Sequence, residues 1–290
     1  MSEIGASYSN MGDAIAQYER KRKILILGYA MFGLSMVFFM IPLITIIGAI
    51  IAVIIIIRQT KDLKAIYKDL FVKGALEKNF QNVFYDPTQG FTKENVAGYL
   101  LCDMGNRFYS EDYIRAVYEG VPFEMSDVTI QYHTSDGENS STTTYFKGRM
   151  MVFNLQTNIT ELVRVYSEKF RYRAIRRKDA KNDLVELESI QFNDTFDVYT
   201  KRAHDAFYLL TPHFMERLQS LAYKYSSIGM SVIGNKIVFA FNEPNNDAFD
   251  AKNTIKKIDY PQEIAKIQAD INDIKIIIST IRDIRPAAPL

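Results

Sequence analysis

The side chains best equipped for chemistry in this 290-residue chain are three histidines, His133, His204 and His213, and one cysteine, Cys102. His204 stands beside Asp205, and His213 falls at the start of a predicted helix. Neither arrangement brings an activated nucleophile or a third ligand at metal spacing, so the expected reading is surface or capping histidine. Cys102 has no partner motif and reads as a buried, inert thiol. With a single cysteine no intramolecular disulfide can form, which fits a reducing compartment. The phosphate-cradling patterns G-x-x-x-x-G-K-[ST] and G-x-G-x-x-G do not occur in the sequence. No catalytic residue, metal ligand or cofactor is expected.

Two other groups of residues suit binding. The basic segment Arg171, Arg173, Arg176, Arg177, Lys178 and Lys181 is broken by one acid, Asp179. It could meet anionic lipid head groups, each basic residue contributing about 1 kcal/mol near a membrane surface. A solvated charge run is an equal alternative. Tyr166, Phe170 and Tyr172 interleave with the arginines as in single-strand nucleic-acid binders, but a net charge of +1 argues against nucleic acid as a partner. The second group is Ile264, Ile267, Ile271, Ile274, Ile278 and Ile281, an a/d seam at alternating spacings of three and four. Such a seam docks on its own domain or on a partner helix, so a protein partner or self-association is expected.

The elements that must position these residues begin with residues 24–57, which carry no charged side chain and are bracketed by Arg20, Lys21, Arg22 and Lys23 and by Arg58 and Lys61. One straight helix of that length would measure about 51 Å against a hydrocarbon core of about 30 Å. A transmembrane hairpin turning near Met40, Ile41 and Pro42 is therefore expected, with Pro42 in the first turn of the second helix and both basic clusters on the cytoplasmic side. One kinked span is the alternative.

Beyond it, 62–84 reads as a helix and 93–101 as a second helical segment, while 110–118 fits either helix or strand. Strands are expected at 126–133 and 145–155, joined by a flexible polar loop over 134–144, then at 161–166, 184–190, 196–198, 229–233 and 237–241. Gly234-Asn235 has the chemistry of a two-residue hairpin turn. Thr211-Pro212 reads as a helix cap and first turn, with Phe214, Leu218, Leu221 and Tyr225 on one face. The expected fold is α+β: the membrane hairpin, a cytoplasmic domain with an antiparallel sheet and packed helices, and a C-terminal amphipathic helix. Its expected divisions are a tail over 1–23, the hairpin over 24–57, a juxtamembrane helical region over 58–120, a sheet domain over 121–245, and an acidic loop with heptad helix over 246–290.

The stretch Leu187-Glu188-Ser189, Phe192, Phe196 to Tyr199 and Leu209-Leu210-Thr211-Pro212-His213-Phe214-Met215-Glu216-Arg217-Leu218, together with Phe146-Lys147-Gly148, resembles an uncharacterised bacterial membrane family, domain of unknown function 3137. The resemblance covers roughly residues 67–241. It implies architecture and bacterial origin, and brings no reaction, substrate or catalytic residue with it. The expectation for function is a non-enzymatic binding or scaffolding protein of a bacterial inner membrane, multi-pass, with both termini cytoplasmic. The alternatives are a membrane-associated enzyme acting on lipid or envelope precursors through His204, Asp205 and His213, and an anionic-lipid surface sensor.

Overall fold

The computed structural model describes residues 2–37, 42–137, 139–154, 159–174, 183–243, 249–250 and 258–282. They belong to two units, one of residues 1–78 with 247–271, the other of residues 79–246 with 272–290.

The first unit is helical. Helices α1 (Ser2–Val37) and α2 (Pro42–Tyr67) pack along each other as a hairpin. Lys21 Nζ donates to Asp62 Oδ2 at 2.5 Å, and a Cβ placed on Gly28 would sit 3.2 Å from Ile55 Cγ2. The partner number falls by as much as the first rises, the mark of antiparallel packing. Leu25 and Ala52 are buried along this seam, while Leu27, Leu34, Ile50 and Ile57 are exposed.

The expected membrane assignment is corrected: no helix among the described residues is long and apolar enough to cross a membrane. Charges run to Lys23 in α1 and resume at Arg58 in α2, which leaves uncharged legs over 24–37 and 42–57. At about 1.5 Å per residue these legs span about 21 and about 24 Å, short of a hydrocarbon core of about 30 Å. The expected multi-pass inner-membrane location with cytoplasmic termini falls with the hairpin's transmembrane character. Met40 and Ile41, where the turn was expected, lie outside the described residues.

The expected helix over 62–84 also changes course. α2 passes into a π-helical turn (Lys68–Lys73) and then α3 (Gly74–Asn79). The widened turn lets Tyr67, Lys68, Phe71 and Val72 all face inward. Helix α9 (Tyr260–Arg282) supplies their partners: Tyr67 Oη donates to Glu263 Oε2 at 2.6 Å, and the Phe71 and Tyr260 rings stack at 5.8 Å. Burial, then the bond to Glu263, raises the Tyr67 phenol far above its ordinary value. Lys68, nearly buried, pairs with Asp250 at 3.5 Å.

The second unit is built on one antiparallel sheet. Its strands are β1 (Gln81–Asp86), β2 (Arg107–Tyr118), β3 (Val121–Ser135), β4 (Ser140–Asn154), β5 (Val163–Ser167), β6 (Leu184–Val185), β7 (Phe196–Tyr199), β8 (Ile228–Ile233) and β9 (Lys236–Phe241). They lie in the order β1-β2-β3-β4-β9-β8-β5-β7-β6. The segment 110–118, ambiguous in sequence, is strand, and 134–144 is mostly strand rather than loop. The strand expected over 184–190 shortens to its first two residues, because Ser189 caps α6 (Ile190–Asn193) by accepting from Phe192 N–H at 3.3 Å.

Four further helices cover the sheet: α4 (Lys93–Gly98), α5 (Glu168–Ala174), α7 (Ala203–Leu209) and α8 (Pro212–Lys224). Thr92 and Thr211 cap α4 and α8 by accepting from the N–H groups of Asn95 and Phe214 at 3.1 and 3.4 Å. Phe214, Leu218 and Leu221 are buried as their spacing requires, and Gly234 takes a φ of 55° in the turn joining β8 to β9. One layer of the core gathers Phe91, Val96, Tyr99 and Leu101 of the α4 region with Val128, Ile130, Phe146, Met150, Tyr166, Phe170 and Val238.

Candidate ligand groove

A cavity lies where the loop after β1 crosses β2 and β3. It measures about 570 Å³ and is lined by Thr88, Phe91, Phe108, Tyr109, Ser110, Glu111, Asp127 and Thr129. Its rim starts as a turn that Asp86 organises: one carboxylate oxygen accepts from Thr88 N–H and Thr88 Oγ1 at 2.8 Å and from Gln89 N–H at 3.2 Å. These bonds hold the Asp86 carboxyl below its ordinary value. The loop then lies directly on β2, since a Cβ on Gly90 would run into Ser110 Oγ and the Ser110–Glu111 backbone. Only glycine permits that approach. Tyr113 N–H completes the attachment by donating to Gln89 C=O at 2.9 Å.

The floor is a β-bulge. Pairing between β2 and β3 slips between Glu111 and Ile114, and Asp112 takes a φ of 58° there. That conformation is strained for a non-glycine residue, and the surroundings hold it. Asp112 is buried at 2% exposure and accepts a 2.6 Å hydrogen bond from Tyr85 Oη. Ser110 Oγ donates to Asp127 C=O at 2.9 Å, and Ser126 Oγ donates to Glu111 C=O at 2.7 Å. Below them the buried Arg149 guanidinium lies 3.4 Å from Asp127 Oδ1.

The groove thus presents aromatic faces, hydroxyls and two carboxylates on a fixed frame. Its serine is already bonded to the main chain, and its lining contains no histidine or cysteine. Nothing in this lining activates a nucleophile. The arrangement suits holding a ligand.

The residues singled out in the sequence lie elsewhere. Arg171 borders a second cavity, about 210 Å³, with Glu168, Asn193, Asp194, Thr195, Phe196 and Asp197. Its guanidinium donates to Tyr199 Oη at 3.2 Å and pairs with Asp197 Oδ2 at 3.0 Å. Burial raises the Asp197 carboxyl, with Arg171 pulling the other way and Glu168 adding to the rise. Arg176, Arg177, Lys178 and Lys181 lie outside the described residues, as does the side chain of Arg173.

Of the isoleucine seam, Ile267, Ile271, Ile274, Ile278 and Ile281 are buried within this chain, while Ile264 is 52% exposed. Ile277, not assigned to the seam, is buried too.

His204 and His213 are exposed, and His133 is half-buried. His204 approaches Asp205 at 3.9 Å, but the Asp205 carboxylate is engaged elsewhere: its Oδ2 accepts from Thr160 N–H and Oγ1 at 3.1 Å and from Glu161 N–H at 2.9 Å. It anchors the 160–161 loop at the start of α7. His133 Nδ1 meets Thr142 Oγ1 at 2.9 Å across the β3–β4 pair. Cys102 packs against the core cluster, and burial, then Asp103, pushes its thiol up to about 12. No group of three histidine, cysteine or carboxylate side chains that could hold a metal ion occurs among the described residues.

The groove had no signature in sequence. It arises from a bulge and a crossing loop, and the local periodicity of 110–118 did not separate helix from strand.

Among curated proteins, nothing matches the chain. Among solved structures, it is similar to the crystal structure of the mycobacterial trehalose monomycolate transport factor A, TtfA, at 9% identity and a TM-score of 0.37, over 77% of this chain and 97% of that one. At that level the likeness bears on neither fold nor function. Residues 144–284 match the family described as "Protein of unknown function (DUF3137)", a match that begins later and ends later than the resemblance read over 67–241, and the chain carries a domain of that family.

Proposed function

We propose that the chain is a non-enzymatic binding protein whose sheet unit holds a segment of a protein partner in the groove between the 87–92 loop and the β2–β3 bulge. The observation that carries this reading is the groove's construction. A cavity of about 570 Å³ is framed by a strained bulge, and within its lining the Ser110 hydroxyl is held by Asp127 C=O, the Thr88 hydroxyl by Asp86 and the Asp127 carboxylate by Arg149. Fixed donors, acceptors and aromatic faces at a concave site favour recognition with little ordering cost.

The test is site-specific photocrosslinking. A photoreactive residue replaces Tyr109 at the groove or, as a control, Tyr223, which is 96% exposed. The expected outcome is a discrete adduct from position 109 that Gly90→Val abolishes, because the added side chain displaces the loop from β2. Identical adduct patterns from the two positions would exclude the groove.

A further inference from the structure

The α1–α2 hairpin buries little beyond its seam. Leu25 and Ala52 are fully buried there, and Gly28 lies against Ile55. With about 3.6 residues per turn, the exposed apolar positions fall on both sides of that seam. On α1, Ile24 and Met31 lie on one flank and Ile26 and Tyr29 on the other. On α2, Ile47 and Ile51 lie on one flank and Ile46 and Val53 on the other. The outer backs are apolar as well, with Leu34 60% and Ile57 62% exposed. So large an exposed apolar surface marks a protein or membrane interaction site.

Charge gathers at one end of the hairpin. The antiparallel register set by Lys21 and Asp62 brings Arg20 and Lys23 of α1 level with Arg58 and Lys61 of α2, and all four side chains are exposed. The acids beside them, Glu19 and Asp62, bond to Arg22 and Lys21. Beyond this basic end, residues 24–37 and 42–57 carry no charge.

Length decides what can surround these legs. They measure about 21 and about 24 Å, too short for a hydrocarbon core of about 30 Å. A bilayer with its head groups is about 40–45 Å thick, so one leaflet is about 20–22 Å, which the legs match. We propose that the hairpin embeds in a single leaflet of an anionic lipid surface without crossing it. Its uncharged legs lie among the acyl chains and its basic end among the head groups. A second copy would cover one flank of the seam, whereas the apolar positions lie on both, and lipid meets every side at once. This surface is separate from the groove, and it stands or falls independently of it.

The chain contains no tryptophan, so a single introduced one reports depth. Full-length Leu34→Trp and Ile57→Trp, both at exposed positions, are mixed with vesicles of phosphatidylcholine and phosphatidylglycerol whose acyl chains carry bromine near the bilayer centre. Both variants are expected to float with the vesicles. Emission from Leu34→Trp, far from the basic end, should shift to the blue and be quenched several-fold more than emission from Ile57→Trp, which adjoins Arg58. Binding should fall by about tenfold or more on phosphatidylcholine alone, and equally when the exposed Arg20, Lys23, Arg58 and Lys61 are all changed to Ser. Equal quenching at the two positions is the result of a hairpin lying flat on the surface and would overturn the proposal. So would a chain that stays unbound, binding indifferent to lipid charge, or a blue shift of Leu34→Trp that grows with protein concentration in the absence of vesicles, as a second copy would produce.

Discussion

Asp205 shows how a residue beside a histidine can be structural. Its buried carboxylate serves two main-chain N–H groups and one hydroxyl. Burial raises its pKa, but those bonds and Arg202 outweigh burial and hold it below the ordinary 3.8. A folded-state pKa below the unfolded one means that this stabilisation is complete above about pH 4 and is lost as pH falls through the folded value. Asp205→Asn is expected to cost about 1–3 kcal/mol at neutral pH and to flatten the acid limb of stability, as urea melts from pH 3 to 7 would show. Cys102 makes the complementary case. With its thiol pushed up to about 12, only about one molecule in ten thousand is thiolate at pH 8. Iodoacetamide labelling of the folded chain, followed by mass, should run about a thousandfold slower than for a free cysteine and become fast in denaturant.

At the level of elements, α9 carries the sharpest contrast. Ile274 is buried and Ile264 is half exposed, although the heptad spacing treats them alike. Ile274→Ala is expected to cost about 2–5 kcal/mol, whereas Ile264→Ala should stay within about 0.5 kcal/mol if the helix serves its own chain. Equal costs in thermal melts would contradict the burial pattern. At the sheet, a Cβ on Gly148 would strike Phe241 C=O and Glu243 N, so Gly148→Ala must open the end of the β4–β9 ladder. Faster hydrogen exchange at Lys147 and Arg149, with β8 unaffected, is the expected result.

Over the whole molecule, α9 contributes residues 260–271 to one unit and 272–282 to the other. In the first unit Tyr260 and Glu263 meet Phe71 and Tyr67, and in the second Lys275 Nζ donates to Asn79 Oδ1 at 2.8 Å while Lys224 pairs with Asp273. Truncation before Tyr260 is therefore expected to loosen both units together. Differential protease sensitivity, with only one unit degraded, would refute that expectation.

What the sequence determined by itself is whatever local chemistry dictates. The Thr211-Pro212 start of α8, the stripe from Phe214 to Leu221, the Gly234-Asn235 hairpin and the isoleucine periodicity of α9 follow from capping, from φ preferences and from 3.6-residue spacing. The family resemblance rested on the same kind of residue. What only the tertiary structure decided depends on contacts distant in sequence. Asp112 is strained because β3 and Tyr85 hold it, the strands of the β3–β4 pair extend because each is the other's partner, and Asp205 is committed to a loop 45 residues away. The uncharged run over 24–57 carried the same lesson: its length and Pro42 called for two legs, and the helices of the fold leave each leg too short an uncharged stretch for a bilayer.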